Sequence, residues 1–392
     1  MPTTRLKNIA YAAALPLFAP SPRWKTQYTC TGHAMTHLKE YQRILNHRHV
    51  LGSTLLLRRG DVAATIHASV SGSIAHFATD HTIYRVASIT KIATALAILR
   101  LTEQGAFTLS TPVTQLLPQA AHEPFLADVT LLHLLSHQSG LRDVPSMQAA
   151  LETGATFHQV LQAPGAHVGH PGERFAYCNF GFGLLGCVIE QATGQNVASA
   201  MDSLVFHPLG MNATLDASTL DKSRIMPIRR VLSRKKCADV RVTSLGEKPL
   251  IHPDPQRHFG HTAGAMYTEA ASISRMLSLI QGNGVLDGKP FLSPETIRQM
   301  THPHACYGAI SPGMYYGLGL VLLEDKTLPG KILFGHQGFA YGCVDGAFGI
   351  LGSNEQVVFL NGGASEQRIG RLGAVNRDVV RLAFGKELPQ WT

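Results

Sequence analysis

The hydrophobic pattern near the start of the chain predicts a strand, a turn and a second strand. Apolar and β-branched residues dominate positions 53–57 and 62–68, and a turn-forming sequence at 59–61 separates them. A helix is predicted next, over residues 88–104, because apolar side chains recur on one helical face. Gly105 ends this predicted helix.

The middle of the chain has a different pattern. Residues 106–260 favour helices joined by loops rich in proline and glycine, and the clearest helices fall at 129–135 and 181–192. Residues 216–260 are polar and basic and contain several prolines, which is typical of an irregular insertion.

After residue 261 the pattern returns to short strands and helices. The β-rich character of both chain ends, around a helical middle, predicts an α/β (α+β) body that carries a helical subdomain, with a cleft between them. Residues 36–385 would then form one domain, with its α/β part at 36–105 and 261–385 and its helical part at 106–260. The predicted elements of the last part are helices at 271–281 and 369–384 and strands at 317–323, 331–334 and 356–360.

Composition is that of a folded globular protein. Apolar residues make up 45% of the chain and charged residues 15%, so disorder does not describe it as a whole. The net charge of +8 is diffuse except at 222–241, where arginines and lysines crowd together. We interpret this segment as a solvated basic loop and expect no nucleic-acid partner, because no binding motif accompanies the charge.

The first 35 residues are predicted to be a leader or a disordered N-terminal segment. Arg5 and Lys7 precede a mildly apolar run at 9–19, and the first acidic residue is Glu40. This pattern is typical of an export signal or a transit peptide and favours a periplasmic or secreted protein over a cytoplasmic one. No later stretch reaches the roughly 20 apolar residues of a membrane span, so no integral span is predicted.

The first candidate for chemistry is the S-x-x-K sequence formed by Ser88 and Lys91. At the start of the predicted helix, side chains three positions apart lie on the same face, so the amine can sit beside the hydroxyl. A serine hydroxyl becomes a good nucleophile when a neighbour takes its proton, and a lysine can do so if burial or positive charge lowers its pKa. A second copy, at 233–236, lacks this helix-start context, and we attribute it to chance.

Tyr177 and Asn179 form a Y-x-N sequence. A phenol beside cations can be held as phenolate and can relay a proton, and the Asn179 amide can bind a substrate carbonyl or hold the lysine. His336, Gln337 and Gly338 form an H-x-G sequence after an apolar run. Two other H-x-G sequences begin at residues 167 and 258, but order along the chain favours the third.

Other chemical patterns in the chain are less specific. The glycines of 181–186 match the dinucleotide fingerprint G-x-G-x-x-G, but no βαβ alternation surrounds them, and we interpret them as contacts for close helix packing. The 20 histidines form no H-E-x-x-H pattern, and the six cysteines form no C-x-x-C pair, so no metal site and no cofactor are predicted. Cys178 is interpreted as a small buried side chain, with an oxidant-sensitive thiol as the alternative.

The ordered set S-x-x-K, Y-x-N, H-x-G resembles the penicillin-recognising serine enzymes, which include class C β-lactamases, penicillin-binding proteins (DD-peptidases) and related esterases and D-aminopeptidases. The resemblance extends from about residue 36 to 385. It implies a β-lactamase/transpeptidase-like fold, with an antiparallel sheet flanked by helices and an all-helical subdomain. The stretches that carry it are 86–101, 129–141, 171–194, 208–211, 316–320 and 334–338.

The resemblance implies a serine hydrolase that forms an acyl-enzyme and needs no cofactor. Ser88 would be the nucleophile, and Lys91 and Tyr177 would share the proton transfers. The backbone amides of Ser88 and Phe339 would form the oxyanion hole, while Asn179 and residues 336–338 would contact the substrate. The substrate would be a small ester, amide or peptide.

Many relatives carry K-T-G where this chain has His336, Gln337 and Gly338. A histidine is mostly neutral at pH 7 and a glutamine side chain offers only an amide, so recognition of a substrate carboxylate should be weaker. We therefore expect esters or small amides to be cleaved better than β-lactams. The alternatives are an acyltransferase or a non-catalytic ligand-binding protein on the same fold, and a nucleotide-dependent enzyme that uses 181–186.

Overall fold

The computed structural model describes residues 10, 11, 13–15, 37–60, 62–69, 78–145, 155–232 and 249–385 of the chain. The strands are β1 Gly52–Arg59, β2 Val62–Ser69, β3 Tyr84–Arg85, β4 Ala213–Thr214, β5 Tyr267–Thr268, β6 Val285–Leu286, β7 Lys289–Pro290, β8 Ala305–Cys306, β9 Met314–Tyr316, β10 Val321–Glu324, β11 Ile332–Ala340, β12 Cys343–Ile350, β13 Glu355–Asn361, β14 Arg368–Ile369 and β15 Leu372–Gly373.

Helices occupy much of the remaining chain. The α-helices are α1 Leu38–His47, α2 Thr90–Glu103, α3 Val113–Leu116, α4 Leu131–Leu135, α5 Phe157–Leu161, α6 Asn179–Thr193, α7 Val197–Met201, α8 Ala270–Gln281, α9 Pro294–Met300 and α10 Ala374–Phe384. Short 3₁₀ turns cover Ala87–Ile89, Pro118–Ala120, Pro124–Leu126, Ala217–Thr219, Lys222–Arg224 and Gly308–Ile310, and a π-helical turn covers Asp202–Phe206.

An eight-stranded antiparallel sheet forms the centre of the molecule, in the order β2-β1-β13-β12-β11-β10-β9-β8. β1 pairs with the whole of β13, from Ser53 opposite Asn361 to Arg59 opposite Glu355. The predicted strand, turn and strand at 53–68 form the hairpin of β1 and β2. The two ends of the chain therefore build one sheet, and the helical middle is inserted between β2 and β8.

Both faces of this sheet are covered. Leu55 and Leu57 of β1 pack in the core under α1 and α10, while Leu56 between them packs in the core that contains α2 and α8. Successive side chains of a strand point to opposite faces, so an uninterrupted apolar strand is what a sheet covered on both sides requires. For this reason the long strands contain continuous runs of apolar residues.

The segment 106–260 forms helices and loops in its described residues, apart from the two-residue strand β4. β4 joins β3 and β5 in a small sheet, which links the helical segment to the chain on either side of it. The sequence places the apolar positions of α2 on one face, but in the structure 11 of its 14 residues are buried. A helix enclosed on all sides loses its polar face, and α2 is enclosed because it lies between the sheet and the helical segment.

Two predicted elements have different bounds in the structure. The strand expected at 317–323 begins only at Val321, because the Gly317 amide donates to the Leu320 carbonyl in a turn at 2.9 Å. Gly319 in this turn has a φ of +74°, and a Cβ there would lie 2.5 Å from the Ala95 Cβ. Close approach of the turn to α2 therefore interrupts the strand.

The helix expected at 369–384 starts at Ala374. Residues before it form the hairpin of β14 and β15, which turns at Gly370 with a φ of +63°. The Gln337 side chain holds this hairpin, since its amide nitrogen donates to the Arg371 carbonyl at 2.6 Å and its oxygen accepts from the Gly373 amide at 2.9 Å. Sequence periodicity could not predict this long-range contact.

Near the N-terminus, Leu15 is buried and the Tyr11 hydroxyl accepts a hydrogen bond from the Glu366 amide at 3.1 Å. Most of the predicted leader and all of the second S-x-x-K sequence, at 233–236, lie outside the described residues. No helix in the described part of the chain is long and apolar enough to span a membrane.

Candidate active site

Ser88 lies in the 3₁₀ turn that leads into α2, and its side chain is half-buried. Ala87 before it has a φ of +46°, a conformation that costs energy for a residue with a side chain. Thr90 holds the turn, because its hydroxyl donates to the Ala87 carbonyl at 2.6 Å and accepts from the Met266 amide at 3.1 Å. The surrounding fold thus holds a strained residue directly before Ser88, at the start of a helix.

Lys91 lies one helical turn beyond Ser88 and is completely buried. Its Nζ is 3.1 Å from Ser88 Oγ, 2.8 Å from Asn179 Oδ1 and 2.6 Å from the Ala263 carbonyl oxygen. Burial lowers the pKa of Lys91 from 10.5 to about 7, so much of the amine is neutral near pH 7.

The hydrogen bonds of Lys91 determine where its lone pair points. A neutral amine has two N–H groups and one lone pair, and the Asn179 and Ala263 oxygens can only accept hydrogen bonds. These two oxygens therefore take the two N–H groups, and the lone pair faces Ser88 Oγ. This is the orientation that a base needs to receive the hydroxyl proton.

Tyr177 lies just before α6, and its hydroxyl donates to Ser88 Oγ at 2.9 Å. Burial raises its pKa further above the ordinary value near 10, so the side chain is a neutral phenol. The expectation of a phenolate held by cations is not supported. Burial outweighs the cations near the phenol: Lys91 Nζ lies 5.0 Å from the Tyr177 ring centroid and is about half protonated at pH 7, and Arg368 lowers the pKa of Tyr177 only in part. His336 is uncharged.

Asn179 begins α6 and connects Lys91 to a residue that sequence reasoning missed. Its Oδ1 accepts from Lys91, and its Nδ2 donates to Asp143 Oδ2 at 2.7 Å. Asp143 follows the stretch 129–141, which carries part of the family resemblance, but no spacing rule indicates a function for it. His137 was also missed, although its buried ring lies 4.2 Å from that of Tyr177 and its Nδ1 accepts from the Cys178 amide at 3.2 Å.

His336 lies on β11 beneath Tyr177 and was predicted to contact the substrate. The structure places it differently: its side chain is 2% exposed, its Nε2 is 3.1 Å from the Tyr316 hydroxyl, and its Nδ1 is 2.7 Å from the Gln337 carbonyl oxygen. Burial lowers the pKa of His336 to about 3, with a further contribution from Lys91. The imidazole is therefore neutral and lies under the cleft, not in its lining.

Gln337 points to the other side of β11, where both ends of its amide bind the β14–β15 hairpin. Its side chain is therefore occupied and does not face the cleft. Gly338 permits close contact between β11 and the chain before Ser88, because a Cβ at this position would lie 2.4 Å from the Val86 carbonyl oxygen. Phe339 lines the cleft, and the Arg368 guanidinium lies 3.7 Å from its ring centroid.

The cleft above Ser88 has a volume of about 320 Å³. Arg85, Ser88, Asp143 and Asn179 supply polar groups to its lining, and aromatic and aliphatic residues form much of the rest. The lining consists of Arg85, Ala87, Ser88, Asp143, Val144, Asn179, Phe180, Phe259, Gly260, Ala263, Gly264, Phe339, Ala340 and Tyr341.

The glycines that match the dinucleotide fingerprint lie inside α6 and pack against other chain segments. A Cβ at Gly183 would lie 1.8 Å from the Phe259 carbonyl oxygen, and one at Gly186 would lie 2.6 Å from Thr262 Oγ1. Cys178 is 1% exposed, as the interpretation of a small buried side chain expects. In the described ranges, no group of three or more His, Cys, Asp or Glu side chains is placed to hold a metal ion.

A serine beside a lysine and a tyrosine, in a turn at the start of a helix that lies between an antiparallel sheet and a helical segment, is the arrangement of a class of serine hydrolases. The sequence profile of the family described as Beta-lactamase matches residues 43–360. The chain belongs to this family and is a serine hydrolase. The resemblance drawn from the three motifs, and the fold class it implied, are confirmed.

The chain is similar in sequence to an esterase and in fold to solved structures of other hydrolases. Esterase EstB of Burkholderia gladioli is 30% identical over an alignment of 347 positions, which covers 77% of this chain and 82% of EstB. The solved structure of EstCE1, described as a hydrolase with promiscuous acyltransferase activity, covers 90% of this chain and 98% of its own, with a TM-score of 0.68 and 21% identity. The D-amino acid amidase from Ochrobactrum anthropi SV3 covers 89% and 98%, with a TM-score of 0.66 and 21% identity. These two structures support the fold alone.

Proposed function

We propose that this protein hydrolyses small esters through an acyl-enzyme at Ser88, with Lys91 as the base. One observation carries the proposal: Ser88 Oγ, at the floor of the cleft, is 3.1 Å from Lys91 Nζ and 2.9 Å from the Tyr177 hydroxyl. A nucleophile within hydrogen-bond reach of a base, which is itself oriented by further groups, is the arrangement that covalent catalysis by serine requires.

In acylation, Ser88 Oγ attacks the substrate carbonyl carbon and its proton passes to the lone pair of Lys91. The carbonyl oxygen becomes an oxyanion, and the backbone amides of Ser88 and Phe339 are the proposed donors to it. When the ester bond breaks, the Tyr177 hydroxyl gives its proton to the leaving alkoxide. The Lys91 ammonium then returns a proton to Tyr177, so the alcohol leaves neutral and both side chains regain their resting states.

In deacylation, a water molecule attacks the acyl-enzyme carbonyl and gives a proton to Lys91. The Lys91 ammonium then passes this proton to Ser88 Oγ as the bond to the acyl group breaks, which releases the acid and restores the neutral amine. Lys91 suits both acylation and deacylation, because a base is most effective when its pKa lies near the working pH. Asn179 and Gly338 have supporting roles in this proposal. Asn179 orients the lysine, and Gly338 allows Phe339 to approach Ser88.

The third motif favours uncharged substrates. His336 is neutral and buried, and the Gln337 amide is occupied by the hairpin, so neither offers charge or free hydrogen-bond donors to a substrate carboxylate. We assign His336 to positioning Tyr316 and Tyr177, whose rings lie 5.9 and 6.3 Å from it. The similarity to an esterase at 30% identity points the same way. We therefore expect neutral esters to be cleaved faster than β-lactams.

The test is a comparison of initial rates on p-nitrophenyl butyrate and the cephalosporin nitrocefin, for the native enzyme and Ser88→Ala. We expect rapid ester cleavage, little nitrocefin hydrolysis, and loss of both in Ser88→Ala. Faster hydrolysis of nitrocefin would refute the substrate assignment, and undiminished activity of Ser88→Ala would refute the nucleophile. An added alcohol that diverts most product into a new ester would indicate an acyltransferase.

A further inference from the structure

The carboxylate of Asp143 holds the start of α6. One of its oxygens, Oδ2, accepts from the Asn179 backbone amide at 2.9 Å and from Asn179 Nδ2 at 2.7 Å, and Oδ1 accepts from the Phe180 amide at 3.0 Å. The Cys178 thiol also lies 3.5 Å from Oδ1. Asp143 therefore forms hydrogen bonds to residues that follow Tyr177, and it also lines the cleft.

The hydrogen bond to Asp143 determines which way the Asn179 side-chain amide faces. An amide has a donor end and an acceptor end, and a carboxylate can only accept. Nδ2 must therefore face Asp143, which leaves Oδ1 facing Lys91 Nζ at 2.8 Å. With the amide reversed, its NH₂ group would face the amine of Lys91 and its oxygen would face a carboxylate.

The orientation of Asn179 in turn affects the nucleophile. The Lys91 lone pair faces Ser88 only while both Asn179 Oδ1 and the Ala263 carbonyl accept its N–H groups. Asp143 thus acts on Ser88 through Asn179 and Lys91. We propose that Asp143 is a positioning residue for catalysis, which keeps the Asn179 amide and the Lys91 amine in the orientation that activates Ser88. This inference rests on the proposed function of Ser88 and Lys91.

The charges around Lys91 give this proposal a second consequence. Asp143 raises the pKa of Lys91, the Cys178 thiol acts in the same direction, and Arg85 lowers it. His137 and His336 face Lys91 from the other side with pKa values lowered by burial, and Tyr177 is a neutral phenol. Among the described residues, Asp143 is thus the carboxylate that raises the pKa of Lys91.

The experiment measures kcat and KM for p-nitrophenyl butyrate from pH 5 to 9 in Asp143→Asn and Asp143→Ser. We expect kcat to fall about 10- to 100-fold, because the amine is no longer oriented, with little change in KM. The acid limb of kcat/KM should also move to lower pH by about 0.5–1 unit, because loss of a negative charge destabilises the Lys91 ammonium. Asp287→Asn, which removes an exposed carboxylate paired with Arg275, is the matched charge control and should leave both quantities unchanged.

A double variant, Asp143→Asn with Asn179→Asp, gives the decisive comparison. It places a carboxylate directly at the acceptor position for Lys91, so kcat should recover severalfold over Asp143→Asn, and the acid limb should move above that of the native enzyme. If Asp143 only capped α6, its replacement would lower the melting temperature without shifting the acid limb of kcat/KM.

An unmoved acid limb in both single variants, with Ser88→Ala inactive, would overturn the role of Asp143 alone. Activity in Ser88→Ala would instead overturn the proposed function. Asp143→Ser retains a hydroxyl that can cap the helix, so it replaces Asp143→Asn if the latter does not fold. If neither single variant folds, Asp143 serves the fold and the inference is wrong.

Discussion

Gly338 is the residue where a single added methyl group should damage catalysis most clearly. A Cβ at this position would lie 2.4 Å from the Val86 carbonyl oxygen and 3.1 Å from its carbon. Ordinary carbon–oxygen contacts are about 3.3 Å or longer, so β11 and the turn before Ser88 must separate by about 0.9 Å in Gly338→Ala. Such a separation would displace the Phe339 amide from the proposed oxyanion position.

The expected cost follows from this displacement. A misplacement of about 1 Å in a catalytic group can reduce the rate about 100-fold, and loss of one oxyanion donor costs about 100- to 1,000-fold. We therefore expect kcat for p-nitrophenyl butyrate to fall about 100-fold in Gly338→Ala. Overpacking should also reduce the free energy of unfolding by about 1–3 kcal/mol.

The assay combines steady-state rates with urea unfolding, and Gly181→Ala is the control. Gly181 lies in α6, and its nearest neighbour would be 3.5 Å from an added Cβ, which is ordinary contact. That variant should keep its activity and be as stable as the native protein or slightly more so, because alanine favours a helix over glycine. A Gly338→Ala enzyme with native kcat would refute the argument that close contact of β11 with the nucleophile turn is required.

Two predictions concern pH. Because Lys91 must be neutral to act as the base and its pKa is about 7, kcat/KM should rise about tenfold from pH 6 to a plateau above pH 8. Lys91→Met should lower kcat/KM at least about 1,000-fold. A native enzyme whose kcat/KM did not change with pH would contradict the assignment of Lys91 as the base. His336 has a folded pKa of about 3 and an unfolded pKa near 6.5, so the unfolded state binds more protons between these values and stability falls as pH drops below 6.5. From pH 7.5 to pH 5, the free energy of unfolding should therefore fall by about 2 kcal/mol less in His336→Gln than in the native protein. An equal fall in the two proteins would show that His336 titrates normally.

Local sequence determined a large part of the fold. The hairpin of β1 and β2, the helix after Ser88 and the helix at 270–281 follow from short-range periodicity and turn residues, which act within a few positions. The proximity of Ser88 and Lys91 is equally local, since a spacing of three residues on a helix brings the side chains together. The family also followed from sequence, through the order of three motifs.

Tertiary structure decided the rest of the site. Tyr177 reaches Ser88 across 89 positions, and no periodicity predicts which way Gln337 or His336 will face. Alternation along β11 turns Gln337 to the hairpin, and packing buries His336, which removes its charge. Asp143 carries no motif, and its importance comes from three hydrogen bonds formed only when its loop meets α6. Sequence therefore specified which groups are available for the chemistry, while orientation and protonation depend on contacts and burial that exist only in the folded chain.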